Sequence, residues 1–158
     1  MADALKNIHD LLIQRALTIA VAESVTGGRL QAALNSISGA SAYFLGGVTA
    51  YGIEQKVKLL GVKRDHAAAV DCVSEEVARQ MELGARTLFG AEIGVATTGY
   101  AEAWPDGNVT EPFAFFAIGY AGRTVVERVE FGKQSRNEAQ KLIVDRAVKS
   151  LAKFLAED

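Results

Sequence analysis

The sequence predicts an α/β fold of layered α/β/α type around a mixed β-sheet, formed by a single domain over residues 1–158. Three observations predict it. Short apolar runs alternate with amphipathic segments through the first two thirds of the chain, as parallel βα units require. Two β-rich runs, 113–120 and 124–131, are then joined by a short glycine-containing connection, which marks an antiparallel hairpin. Finally, 158 residues with 49% hydrophobic content and two prolines describe one globular core rather than a disordered or fibrous chain.

The elements follow in order. Leu5, Ile8, Leu11, Leu12 and Ala16 recur at steps of three and four, which predicts an amphipathic helix over 4–16. The run LTIAVA at 17–22 reads as a buried strand that feeds a tight turn, ESVTGG at 23–28, with a helix after it over 29–35. GASAYF at 39–44 is a second small-residue turn, GGVTAY at 46–51 a strand, and 54–60 a short helix. Ser74 is a helix N-cap, because the acids Glu75 and Glu76 follow it and Val77, Ala78, Met81 and Leu88 take helical spacing. AEIGVATT at 91–98 is a strand ending at Gly99. The closing helix, 135–156, gathers Ala139, Leu142, Ile143, Ala147, Leu151 and Leu155 on one face.

Charge and cysteine count exclude several classes of function. Seventeen Lys plus Arg against nineteen Asp plus Glu leave −2 with the signs interspersed, so no basic face for nucleic acid exists. One cysteine, Cys72, cannot form an intramolecular disulfide, and with only His9 and His66 beside it no common structural zinc site can be assembled. No metal and no cofactor is expected. The first sixteen residues carry charges throughout and lack the apolar core of a signal peptide or membrane helix, so the expected location is the cytoplasm, away from the membrane.

The strand-to-helix turn at 22–28 is the candidate site, since ligands of α/β sheets collect beyond the carboxyl ends of strands. Gly27 and Gly28 permit close backbone approach, and unpaired N–H groups at the start of the next helix favour an anion such as phosphate. The competing reading is structural: the glycines turn the chain and Ser24 or Thr26 caps the helix. Neither G-x-x-x-x-G-K-[ST] nor G-x-G-x-x-G is present. A nucleophilic Ser24 needs a base. His9 lies in the opening helix and His66 in a polar connection, which leaves a Ser–Lys arrangement with Lys56 or Lys58 at the end of a second strand. Tyr51, five residues before Lys56, can hold a proton beside that lysine. Cys72 reads as a small buried hydrophobe, and Asp71, Glu75 and Glu76 as charges of a helix's first turn. Trp104, in a polar loop, either stacks on a ligand or covers the core.

The runs AESVTGG (22–28), SGASAYF (38–44), GGVTAY (46–51), KVKLLGV (56–62), VSEEVA (73–78) and Thr98-Gly99, in this order and spacing, resemble the CinA C-terminal domain family. That family includes nicotinamide-nucleotide amidases and was long labelled competence/damage-inducible. The resemblance implies hydrolysis of the carboxamide of nicotinamide mononucleotide, with Ser24 as nucleophile, Lys56 as base and Tyr51 as the accompanying tyrosine. It further implies a substrate or phosphate contact at Thr26, Gly27, Gly28, Thr98 and Gly99, a small-molecule nucleotide as partner, and a homo-oligomer. The chain departs from the family pattern at four places. Val25 stands at a usual cysteine, Gly52 and Ile53 follow Tyr51 where Ser-Asn is common, and 99–107 replaces a loop that begins Gly-Ile-Ala-Gly-Pro. Glu111 stands where a lysine is usual, so the expected rim has exchanged a positive charge for a negative one.

Overall fold

The computed structural model describes residues 1–157. One five-stranded sheet, in the order β2-β1-β3-β4-β5, carries helices on both faces. β1 (Ile19–Glu23) is parallel to both β2 (Phe44–Thr49) and β3 (Ile93–Gly99), while β4 (Phe113–Tyr120) and β5 (Arg123–Glu130) complete the sheet as an antiparallel hairpin beside β3. The sheet is therefore mixed.

β1 is buried along its whole length because both of its faces are covered, as a central parallel strand requires. Ile19 and Val21 pack with helices α1 (Ala2–Arg15), α2 (Arg29–Leu34) and α6 (Arg136–Ala156) on one face. Ala20 and Ala22 point the other way. They meet Leu60 of α3 (Ile53–Leu60), Ala67 of α4 (Arg64–Ala69), and Val77 and Met81 of α5 (Glu75–Phe89). Small alanines on that face bring α5 close to the sheet, and α3 packs on α5, where a Cβ on Gly84 would clash with the Leu60 backbone.

Caps fix the ends of the two longest helices. The Ser74 side chain accepts from Val77 N at the start of α5, and Ser135 with Glu138 forms a reciprocal capping box at the start of α6. The segment around His66 is helical, contrary to the polar connection expected there. Its six residues are too few to show an apolar period, so α4 leaves no clear signature in the sequence. Strand β2 also begins two residues earlier than predicted, at Phe44, directly after a single 3₁₀ turn over Ala40–Ala42.

Candidate active site

Because β1, β2 and β3 run parallel, their carboxyl ends open at one edge of the sheet. Ser24 leaves β1 there, Ala50 and Tyr51 follow β2, and Thr98 and Gly99 end β3. A cavity of about 670 Å³ lies at this edge, lined by Ser24, Val25, Tyr51, Lys56, Asp71, Cys72, Thr98, Gly99, Tyr100, Glu102, Trp104 and Arg136 among others.

Lys56 comes from the second turn of α3 and is 1% exposed. Its Nζ lies 2.9 Å from Ser24 Oγ and 2.8 Å from the backbone carbonyls of both Ala50 and Tyr51. Burial lowers its pKa from the ordinary lysine value, against smaller upward pulls from Cys72 and Asp71. The geometry has a direct chemical reading. Carbonyl oxygens only accept, so a neutral amine directs its two N–H groups to Ala50 and Tyr51 and its lone pair to the Ser24 hydroxyl. Gaining a proton there leaves all three contacts intact, with Nζ now donating to Ser24 Oγ as well.

Tyr51 lines the same cavity as Lys56, as the spacing suggests, but its phenol does not meet the lysine. Its backbone carbonyl holds Lys56, while its phenol, on a side chain 64% exposed, accepts from Arg136 Nη2 at 2.8 Å. A five-residue spacing locates a residue relative to a helix but not the direction of its side chain.

The turn after β1 is not an open anion cradle. Glu23, fully buried, turns its carboxylate back under the turn: Oε2 accepts from Gly28 N at 3.1 Å and Leu30 N at 2.9 Å, and Oε1 from Gln31 N at 2.8 Å. The N–H groups expected to favour phosphate are occupied by this internal anion. Thr26, also fully buried, bonds Glu23 Oε2 at 2.5 Å and lies 2.7 Å from Thr97 Oγ1, so neither it nor Ser24 caps the helix. Gly27 and Gly28 take φ of 58° and 96°, so the left-handed turn itself requires glycine. Thr26, Gly27 and Gly28 thus do not line the cavity, which this turn borders with Ser24 and Val25 alone.

Thr98 and Gly99 do reach the wall. Thr98 Oγ1 donates to the carbonyl of Cys72 at 2.6 Å, and a Cβ on Gly99 would come within 2.5 Å of Ala114, so the glycine there serves contact with β4.

Asp71 and Cys72 were expected as a helix-terminal charge and a core thiol. The structure puts both on the cavity wall ahead of α5, at φ of 49° and 62°. Tyr100 OH donates to Asp71 Oδ2 at 3.1 Å, and its pKa is pushed up to about 12 by burial first and by that carboxylate second. Burial likewise raises the Cys72 thiol, which keeps it protonated. Arg136, at the start of α6, pairs with Glu102 at 3.0 Å; nothing in the sequence links a residue 112 positions beyond Ser24 to this site. Trp104 is 44% exposed on the rim, which settles its position in favour of the cavity mouth. His9 and His66 do not line the cavity, and neither does Glu111. His66 Nε2 lies 2.9 Å from Ser74 Oγ, at the cap of α5. Among the described residues no helix is long and apolar enough to cross a membrane, and no group of three or more His, Cys, Asp or Glu could hold a metal ion.

A family profile described as the CinA C-terminal domain matches residues 2–155. A CinA-like protein of Picosynechococcus is 45% identical over 72% of this chain and 27% of its own length. A CinA-like protein of Prochlorococcus marinus is 40% identical over 92% of this chain and 35% of its own length. The chain thus spans between about a quarter and a third of these curated relatives. The crystal structure of a competence-damaged protein (CinA) superfamily member from Klebsiella pneumoniae superposes with a TM-score of 0.90 at 30% identity, covering 99% of this chain and 98% of that one.

Proposed function

The chain belongs to the CinA C-terminal domain family, and on that premise we propose that it is an amidohydrolase in which Ser24 and Lys56 open a linear carboxamide of the nicotinamide mononucleotide type. The observation that carries this reading is the contact between the Ser24 hydroxyl and a buried lysine amine at 2.9 Å, in a cavity large enough for such a ligand.

Ser24 Oγ attacks the carboxamide carbon while its proton passes to the lone pair of Lys56 Nζ. The carbonyls of Ala50 and Tyr51 stabilise the ammonium that results. The backbone N–H of Val25, which has no protein acceptor among the described residues, is the donor for the oxyanion. Collapse of the tetrahedral intermediate breaks the C–N bond as Lys56 returns the proton to nitrogen, and ammonia leaves. Water then attacks the ester, giving one proton to Lys56, and the acid departs as Ser24 regains its hydrogen. Tyr51 contributes its carbonyl to this cycle, and its phenol holds Arg136 at the mouth.

Ammonia release by the purified chain from nicotinamide mononucleotide, compared with Ser24→Ala, tests the reading. Loss of about 10⁴-fold or more in the folded variant is the expected result. Two carboxylates on the rim, Asp71 and Glu102, favour one alternative, a binding module for a metabolite that has lost turnover. Equal thermal stabilisation of wild type and Ser24→Ala by the nucleotide, with no ammonia from either, would establish that alternative.

A further inference from the structure

The charged side chains that line the cavity are Lys56, Arg136, Asp71 and Glu102. With Lys56 neutral, as a base must be, a single cation faces two carboxylates. That cation is already engaged: Arg136 pairs with Glu102 at 3.0 Å and donates to Tyr51 OH at 2.8 Å. Of the backbone donors after β1, the other device suited to a phosphate, those of Gly28, Leu30 and Gln31 are occupied by Glu23, Gly27 and Arg29 bond carbonyls of the turn itself, and Val25 is taken by the oxyanion in the proposed cycle. A dianion brought to this mouth would have to open the Arg136 pair and then sit against Glu102 and Asp71.

Asp71, in contrast, is held in place by several contacts. It lies in a left-handed conformation that side chains other than Gly, Asn and Asp rarely take, and so does its neighbour Cys72. The corner is clamped from two sides, by Cys72 N donating to the Ala67 carbonyl at 2.7 Å and by Thr98 Oγ1 donating to the Cys72 carbonyl at 2.6 Å. Tyr100 OH then fixes the carboxylate itself. The same tyrosine ring lies 6.2 Å from Trp104 and meets Phe113 edge-on at 5.6 Å, and the Arg128 guanidinium covers Phe113 from 3.9 Å. The result is a braced aromatic platform with a carboxylate beside it, opening on the cavity that holds Ser24.

We infer that the site recognises its ligand through a flat, cationic aromatic carboxamide and not through a phosphate, with Asp71 as the counter-charge and the Tyr100–Trp104 platform as the stacking surface. This rests on the Ser24–Lys56 reading for the placement of the carboxamide, and it names the ring rather than a phosphate as the recognised part. A cation over an aromatic face and beside a carboxylate is stabilised by both, whereas the isosteric neutral ring keeps only the stacking.

Calorimetric binding to the Ser24→Ala protein separates the two readings, because it needs no turnover. The probes are 1-methyl-3-carbamoylpyridinium, its neutral parent nicotinamide, and nicotinamide mononucleotide. The methylated cation is expected to bind about tenfold tighter than the neutral amide, and the nucleotide no tighter than the cation. Asp71→Asn, which tolerates the left-handed backbone, should erase the preference for charge, and Trp104→Ala should weaken the cation. Glu102→Gln frees Arg136 and should tighten the nucleotide alone, by about tenfold. Nucleotide binding ten times tighter than the cation overturns the inference, as does an Asp71→Asn protein that still prefers charge, or no binding of any probe. Ammonia release by the unaltered protein decides the hydrolase reading independently.

Discussion

Lys56 and Glu82 are buried to the same depth, each 1% exposed, on neighbouring helices packed against the same face of the sheet, yet they sit in opposite surroundings. Glu82 lies over the amino end of β3, against Gly94 and its β4 partner Gly119. Its carboxylate pairs with Arg86 at 2.5 Å and presses on Gly119, where a Cβ would come within 2.3 Å of it. Lys56 lies at the carboxyl end, where its contacts are a hydroxyl and two carbonyls, and a cavity opens beside it. Burial drives both towards the neutral form: it raises Glu82 against the pull of Arg86 and lowers Lys56. A buried charge is therefore not in itself a sign of chemistry. With an ion partner and no adjacent space it serves packing; bonded to a hydroxyl at the wall of a cavity, it is placed for the proton exchange proposed above.

The strongest way to break this comparison is to remove each group in turn. Lys56→Met should lower turnover by about 10²–10⁴-fold in a folded protein. Glu82→Ala should leave turnover per folded molecule unchanged and cost roughly 3 kcal/mol in urea unfolding, the lower part of the usual range because Arg86 is 21% exposed and rehydrates. A folded Glu82→Ala protein without activity would erase the distinction between the two ends.

Titration sharpens the contrast. Turnover should rise with pH and level off above the pKa of Lys56, at a midpoint below the ordinary 10.5, since in the proposed cycle only the free amine takes the Ser24 proton. Glu82→Gln should leave that midpoint in place. The stability effects are opposite in origin. Between the depressed pKa of Lys56 and 10.5, the unfolded chain binds a proton that the folded chain lacks, so this group adds stability as pH rises. Glu82 is raised above 4.5, so its contribution is present below 4.5 and is lost as pH climbs through its folded value. Subtracting the pH–stability curve of Glu82→Gln from that of wild type should therefore yield a curve that falls with pH over that window.

The smallest effect is expected at Tyr51. Tyr51→Phe keeps the carbonyl that holds Lys56 and removes only the contact to Arg136, so kcat should change by less than about threefold while KM moves. A loss comparable with Lys56→Met would return the phenol to the proton path.

Local pattern determined a good deal. The order of strands and helices, the hairpin of β4 and β5, the Ser74 cap, and the choice of Ser24 with a lysine followed from apolar period, turn residues and the scarcity of histidine and cysteine. Such signals act over a few residues, so they survive reading one segment at a time. Only tertiary structure decided that Glu23 turns inward to occupy the N–H groups of Gly28, Leu30 and Gln31, that Tyr51 offers its carbonyl rather than its phenol to Lys56, and that Arg136, Asp71 and Tyr100 meet at one cavity. Side-chain direction depends on what packs behind it. Contacts between residues 71, 100 and 136 exist only once three parallel strands bring their carboxyl ends to a single edge.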